Sequence, residues 1–99
     1  VTGVQTCALP IYSMNDTFTK HNDPGHGWLE VYLSELEDLG IRNRISSCSY
    51  RRRAIAMLEE DCDMTLFIET YENRFGCKPS IIEQNYVRSC FIRNWTHYY

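Results

Sequence analysis

One stretch of this chain carries a long helical period, and it constrains everything around it. From Met64 the apolar side chains fall at positions 64, 67, 68, 71 and 75, the spacing of a stripe along one face of a helix. Asp61 or Asp63 is placed to cap its start, Gly76 follows as a left-handed stop, and Pro79 lies just beyond. A helix with a single apolar face must bury it against another layer. Most of the other apolar residues alternate with polar ones, so that layer reads as a sheet.

Residues 28–33 have a period of two, with Leu29, Val31 and Leu33 on one face and Trp28, Glu30 and Tyr32 on the other. Residues 17–21 alternate more weakly. The turn chemistry of Asp23, Pro24 and Gly25, with Gly27 close by, joins the two segments as a hairpin with its loop at 22–27. Ser34 and Glu37 have the spacing of a capping box, and Gly40 supplies a stop. Together they predict a helix of under two turns over 34–39, anchored by Leu36 and Leu39 and too short to stand without the sheet. Residues 45–53 and 54–59 read as a second strand pair, with Ile45, Tyr50 and Ile55 in support. Residues 90–95 read as a last strand with Phe91, Arg93 and Trp95 facing one way, and 80–84 is undecided. The order ββαββα(β)β predicts an α+β fold: a small, mostly antiparallel sheet with two helices packed on one face.

None of the 10 basic or 13 acidic residues precedes Met14, so the net charge of −3 belongs wholly to the later part. A chain this short makes one domain and buries roughly 60–65% of its unfolded surface. No run approaches the roughly 18 apolar residues that a membrane span needs, so no membrane partner is expected. Past position 13 the cysteines are Cys48, Cys62, Cys77 and Cys90, with no C-x-x-C pair among them. A zinc ribbon or knuckle needs two close ligand pairs. The expectation is therefore mostly buried or half-buried free thiols in a reducing compartment. The phosphate-binding, dinucleotide-binding, nucleophile-elbow and zinc-protease motifs are all absent from the sequence.

Three constellations remain. Arg42, Arg44, Arg51, Arg52 and Arg53 fall in a window without an acid, with Tyr50 among them. With Trp28 and Tyr32 they form a candidate binding patch, since Arg and aromatics are favoured at interface hot spots. Arg forks and a stacking ring also suit nucleic acid, which Arg88, Arg93, Tyr86 and Trp95 would extend. The net negative charge opposes that reading, and a solvated strand edge is the plain alternative. Glu59, Glu60, Asp61 and Asp63 read as a helix cap and charge complement rather than a Mg²⁺ or Ca²⁺ site, because the calcium-loop spacing is missing. His21, Asp23 and His26 are a possible metal group around the first turn, but the letters identify no further ligand. No metal or cofactor is expected. Cys62, at a helix start but among acids, is not expected to be a nucleophile, because negative neighbours disfavour a thiolate.

Pro24-Gly25-His26-Gly27-Trp28-Leu29-Glu30-Val31, then Leu39-Gly40-Ile41 leading into Ile45-Ser46-Ser47-Cys48-Ser49-Tyr50, then Leu58-Glu59-Glu60-Asp61-Cys62-Asp63 together resemble a family of small uncharacterised proteins encoded by bacteriophages, prophages and plasmids. The resemblance covers about residues 20 to 76, with a weaker echo at 91–93. It departs at Cys48, where the family pattern has an aromatic, and over 95–99. It implies a bacterial cytoplasm and an accessory role on a mobile element, and it carries no activity or catalytic residue. Residues 1–11 look like the translation of a short-read sequencing adapter. Residues 1–13 are therefore expected to be a disordered, non-native leader before a domain at 14–99 that starts at Met14. The functional expectation is a non-enzymatic protein that binds a host or phage protein. A nucleic-acid-binding module using the same arginines is the alternative, and a metal-binding or enzymatic domain ranks third.

Overall fold

The structure is a computed structural model that describes residues 14–99, and the expected leader lies outside the described residues. Strands β1 (Thr17–Asn22) and β2 (Gly27–Tyr32) form the opening hairpin, with His21 opposite Trp28. Asp23 makes the turn. Its Oδ1 accepts the backbone N–H of Gly25 and of His26, each at 2.9 Å, a side chain standing in for a backbone turn.

Helix α1 (Leu33–Asp38) follows without a break. Its capping residue is Glu35, not the expected Ser34 and Glu37. The Glu35 carboxylate accepts the Tyr32 N–H at 2.8 Å and the Asn15 N–H at 3.2 Å. The register moved because Leu33 is drawn into the core, so the helix starts one residue earlier and its third position falls on a glutamate. After a 3-10 turn at Arg42–Arg44 come β3 (Tyr50–Arg52) and β4 (Ile55–Glu59). Arg53 takes the left-handed conformation between them, φ 56°, a turn that its side chain does not advertise. Helix α2 (Asp63–Phe75) ends at Gly76, φ 79°, as its stripe and stop predict.

Strand β5 (Ser80–Asn85) settles the undecided segment, and β6 (Thr96–His97) is a two-residue strand. The six-stranded sheet has the order β5-β1-β2-β4-β3-β6. It is antiparallel except where β5 lies parallel to β1. By this pairing β4 and β5 run the same way, so the chain must cross the sheet between them, and α2 is that crossover.

One expected strand is shortened and another replaced, each for a polar reason. Residues 45–49 form a loop because the Asp63 carboxylate gathers the N–H and hydroxyl of Ser46 and the hydroxyl of Ser49. Serines bonding in this way compete with a strand ladder. The last segment is a 3-10 turn, Phe91–Asn94, rather than a strand over 90–95. Asp23 Oδ2 accepts the Cys90 N–H at 3.0 Å and Arg93 Nε at 2.6 Å, pulling the chain across the sheet. Phe91, Arg93 and Trp95 therefore do not share a strand face.

Both helices pack on one face. Leu36, Phe67 and Tyr71 meet Phe18, Leu29, Val31, Ala56 and Leu58 there, and Phe18 stands edge-on to Phe67 at 5.1 Å. Fully burying a ring such as Phe67 contributes roughly 1.5–3 kcal/mol. The opposite face carries a smaller cluster of Trp28, Met57, Cys90 and Ile92 beneath the C-terminal segment. No helix among the described residues is long and apolar enough to cross a membrane.

Candidate functional site

The structure divides the expected arginine and aromatic patch. Trp28 is only 1% exposed and belongs to the second core cluster, so it is not a surface anchor. Arg51 points to the helix-bearing side, its guanidinium 5.6 Å from the Tyr98 ring centroid. Arg42 pairs with Glu37 at 3.3 Å, and its carbonyl accepts the Tyr98 hydroxyl. Arg44 is exposed on the 3-10 turn, and Arg53 is exposed in the β3–β4 turn. Tyr50 is half-buried against Trp28 and His97. Of the patch, Tyr32 and Arg52 are brought together. Each pairs with Ile55, from β2 and β3 respectively, so all three lie in one row on the helix-free face.

At the Arg52 end of that row the C-terminal segment leaves a groove of about 440 Å³ between Arg52, Phe91, Asn94, Trp95 and Thr96. The Phe91 and Trp95 rings stand 5.8 Å apart, and Phe91 is 44% exposed. Their contribution to a groove was not readable from spacing, because it follows from the Asp23 clamp on Cys90 and Arg93.

The possible first-turn metal group separates. His21 is bonded through both ring nitrogens, to Glu30 at 2.8 Å and to the Tyr86 hydroxyl at 2.9 Å. In the neutral ring these partners place the proton on Nε2 and leave Nδ1 to accept from Tyr86. Burial pushes the Tyr86 hydroxyl above its ordinary pKa, with the charges of Cys90 and Glu30 adding. Asp23 is spent on five donor groups from four residues, with Arg93 gripping both of its oxygens. Arg93 holds the carboxyl well below the usual carboxylate range, backbone N–H groups assist, and burial opposes.

His26 takes a different course. It leaves the turn toward the β4–α2 junction, where one ligand atom from each of His26, Glu59, Glu60 and Asp61 lies within 4.8 Å of the others. The acidic cluster is thus not a helix cap as a whole. Only Asp63 enters the helix, and it serves the 46–49 loop. Glu60 pairs with Lys20 at 3.1 Å. The adjoining cleft, about 320 Å³, is also lined by Trp28, Cys48, Tyr50, Cys62 and Arg93.

The free cysteines among the described residues are Cys48, Cys62 and Cys90, and only Cys90 is buried. The expectation of mostly buried or half-buried thiols fails at Cys48 and Cys62, because the serine loop holds one at the surface and the exposed β4–α2 junction holds the other. The Cys62 thiol is pushed up to about 12, first by the Cys48 thiol beside it, then by burial and by Glu59.

Comparison with protein-family models, with curated proteins and with solved structures finds no match to this chain.

Proposed function

We propose that this protein acts without catalysis by binding a protein partner on the helix-free face of its sheet. The observation that carries this is the groove in which Phe91 and Trp95 stand beside Arg52, continued along the sheet by Ile55 and Tyr32. The exposed Phe91 and the half-buried Trp95 next to a guanidinium are residue types that supply interface hot spots. Arg52 takes part in no ion pair among the described residues. The fitting partner segment presents an apolar or aromatic side chain to the two rings and a carboxylate to Arg52, which a planar fork binds at two points. Such a role accords with the accessory function on a mobile element that the sequence resemblance implies.

The nucleic-acid alternative is weaker on this geometry. A polyanion needs converging phosphate contacts, whereas Arg51 and Arg52 point to opposite faces, Arg42 is paired with Glu37, and Arg93 is held by Asp23. The net charge is −3.

The test is affinity capture from a nuclease-treated bacterial lysate, using the full chain and an Arg52→Ala/Trp95→Ser double variant. A protein retained by the wild type and lost by the variant is the expected result. Equal capture by both would refute the groove, and capture that vanishes with nuclease would promote the nucleic-acid reading.

A further inference from the structure

We infer that His26, Glu59 and Asp61, with Glu60 in support, form a binding site for one divalent transition-metal ion of the zinc and manganese class. The cluster of acids would not carry this by itself. The decisive atom is Glu59 Oε2. Glu59 is only 8% exposed, and this oxygen is buried without a hydrogen-bond partner among the described residues. Its sister Oε1 accepts the Asp61 N–H at 3.0 Å. Oε2 faces His26 Nδ1 at 3.5 Å. A buried carboxylate oxygen with no hydrogen bond, and only an imidazole at ion-pair distance, is costly, and sites where such atoms persist need an explanation.

The arrangement satisfies what a metal requires. The His26 backbone is fixed by its N–H bond to Asp23 Oδ1 at 2.9 Å, so the imidazole is presented from a rigid turn. Its ring is 49% exposed and Asp61 is exposed, so both have room to close. Ligand atoms around a tetrahedral ion with bonds of about 2.0–2.1 Å lie roughly 3.4 Å apart. The observed spread within 4.8 Å asks only for small rotations of those two side chains. One imidazole with carboxylates is a borderline-to-hard donor set, which suits zinc or manganese better than copper(I) or an all-oxygen calcium cage. Two neighbouring cations do not block the site, since Arg93 is consumed by Asp23, and Lys20 contacts only Oε1 of Glu60. The ion would join the β1–β2 loop to the start of α2, two parts of the chain that sequence reading treats as unrelated.

The experiment is calorimetric titration of Zn²⁺, and separately Mn²⁺, into chelator-stripped full chain, with thermal unfolding followed in parallel. One ion per chain is expected, bound at least tenfold more weakly by Glu59→Gln and by His26→Ala. His97→Ala, which removes an imidazole that is not one of the cluster's ligands, is expected to bind as the wild type does. Glu59→Gln keeps the shape of the side chain and should fold without metal, so the metal-dependent rise in Tm is expected in the wild type and absent in this variant. Wild-type affinity in His26→Ala or Glu59→Gln would overturn the proposal, as would no heat and no Tm rise with either ion. Loss of binding in a Cys48→Ser/Cys62→Ser variant but not in His26→Ala would also overturn it, by assigning the metal to the thiols.

Discussion

Replacing Asp63 with alanine tests how this fold ties the 46–49 loop to the start of α2. The Asp63 carboxylate is 4% exposed and accepts the Ser46 N–H at 3.1 Å, the Ser46 hydroxyl at 2.8 Å, and the hydroxyl of the fully buried Ser49. Ser49 Oγ in turn accepts the Glu59 N–H at 3.0 Å. The Ser46 hydroxyl can turn to water when the carboxylate is removed, but the Ser46 N–H and the Ser49 hydroxyl cannot do so freely. Each buried donor left unsatisfied costs about 1–3 kcal/mol, so the expected loss is about 3 kcal/mol. A domain of this size has roughly 5–10 kcal/mol in total, and the loss corresponds to a Tm drop of roughly 10–20 °C. Urea unfolding measured by tryptophan fluorescence reads it directly as a lower midpoint at unchanged slope. Asp63→Asn, which keeps the shape and loses the charge, should fall between the two. A loss in Asp63→Ala below about 1 kcal/mol, or additivity with Ser49→Ala in a double-mutant cycle, would refute the network as the tie between the 46–49 loop and α2.

Asp23 gives a pH signature. Its folded pKa is depressed, chiefly by Arg93, so its contribution is fully present above its unfolded value of about 3.9 and is lost as pH falls from there toward the folded value. Wild-type stability should therefore fall more steeply between pH 5 and pH 3 than that of Asp23→Asn, and equal slopes in urea titrations would contradict the assignment. Trp28 and Tyr32, on the same face of the same strand, separate core from surface. Trp28→Ala should cost about 3–5 kcal/mol, whereas Tyr32→Ala, 49% exposed, should change stability by under about 0.5 kcal/mol while weakening partner capture.

The parts of the fold that rest on side-chain period were legible. Leu29 and Val31 against Trp28, Glu30 and Tyr32 assigned the faces of β2 correctly, and the stripe ending at Gly76 placed α2. Period fails where a polar side chain overrides it. Nothing in the letters says that Glu35 rather than Glu37 closes α1, because the choice depends on Leu33 entering the core. Alternation at 90–95 suggested a strand, yet three bonds to Asp23 fold that segment into a 3-10 turn. The candidate sites suffered most. Trp28 has the chemistry of an interface anchor, but the segment carrying Cys90 and Ile92 covers it. His26 and the acids at 59–61 were visible as separate groups, and their meeting depends on the β2–β4 pairing that sets Trp28 opposite Glu59.

The two candidate sites share a fastening. Asp23 Oδ1 holds the Gly25 and His26 N–H groups, and so fixes the loop from which His26 reaches Glu59. Oδ2 of the same carboxylate holds the Cys90 N–H and Arg93 Nε, and so fixes the segment that presents Phe91 and Trp95 to the groove. Arg93 also lies over the Trp28 ring, 5.3 Å from its centroid, with the cleft beside Glu59 adjoining both. The C-terminal segment is also seated by Cys90 and Ile92 in the second core cluster, and Asp23 is the group that bonds it to the β1–β2 loop. A charged hub bonded to both sides is strongly destabilising to break. It also makes the spacing between the imidazole and the aromatic groove a property of the folded chain rather than of two independent loops. The lone carboxylate between two otherwise unrelated segments is therefore the residue on which both functional readings depend for their geometry, though neither assigns it a ligand.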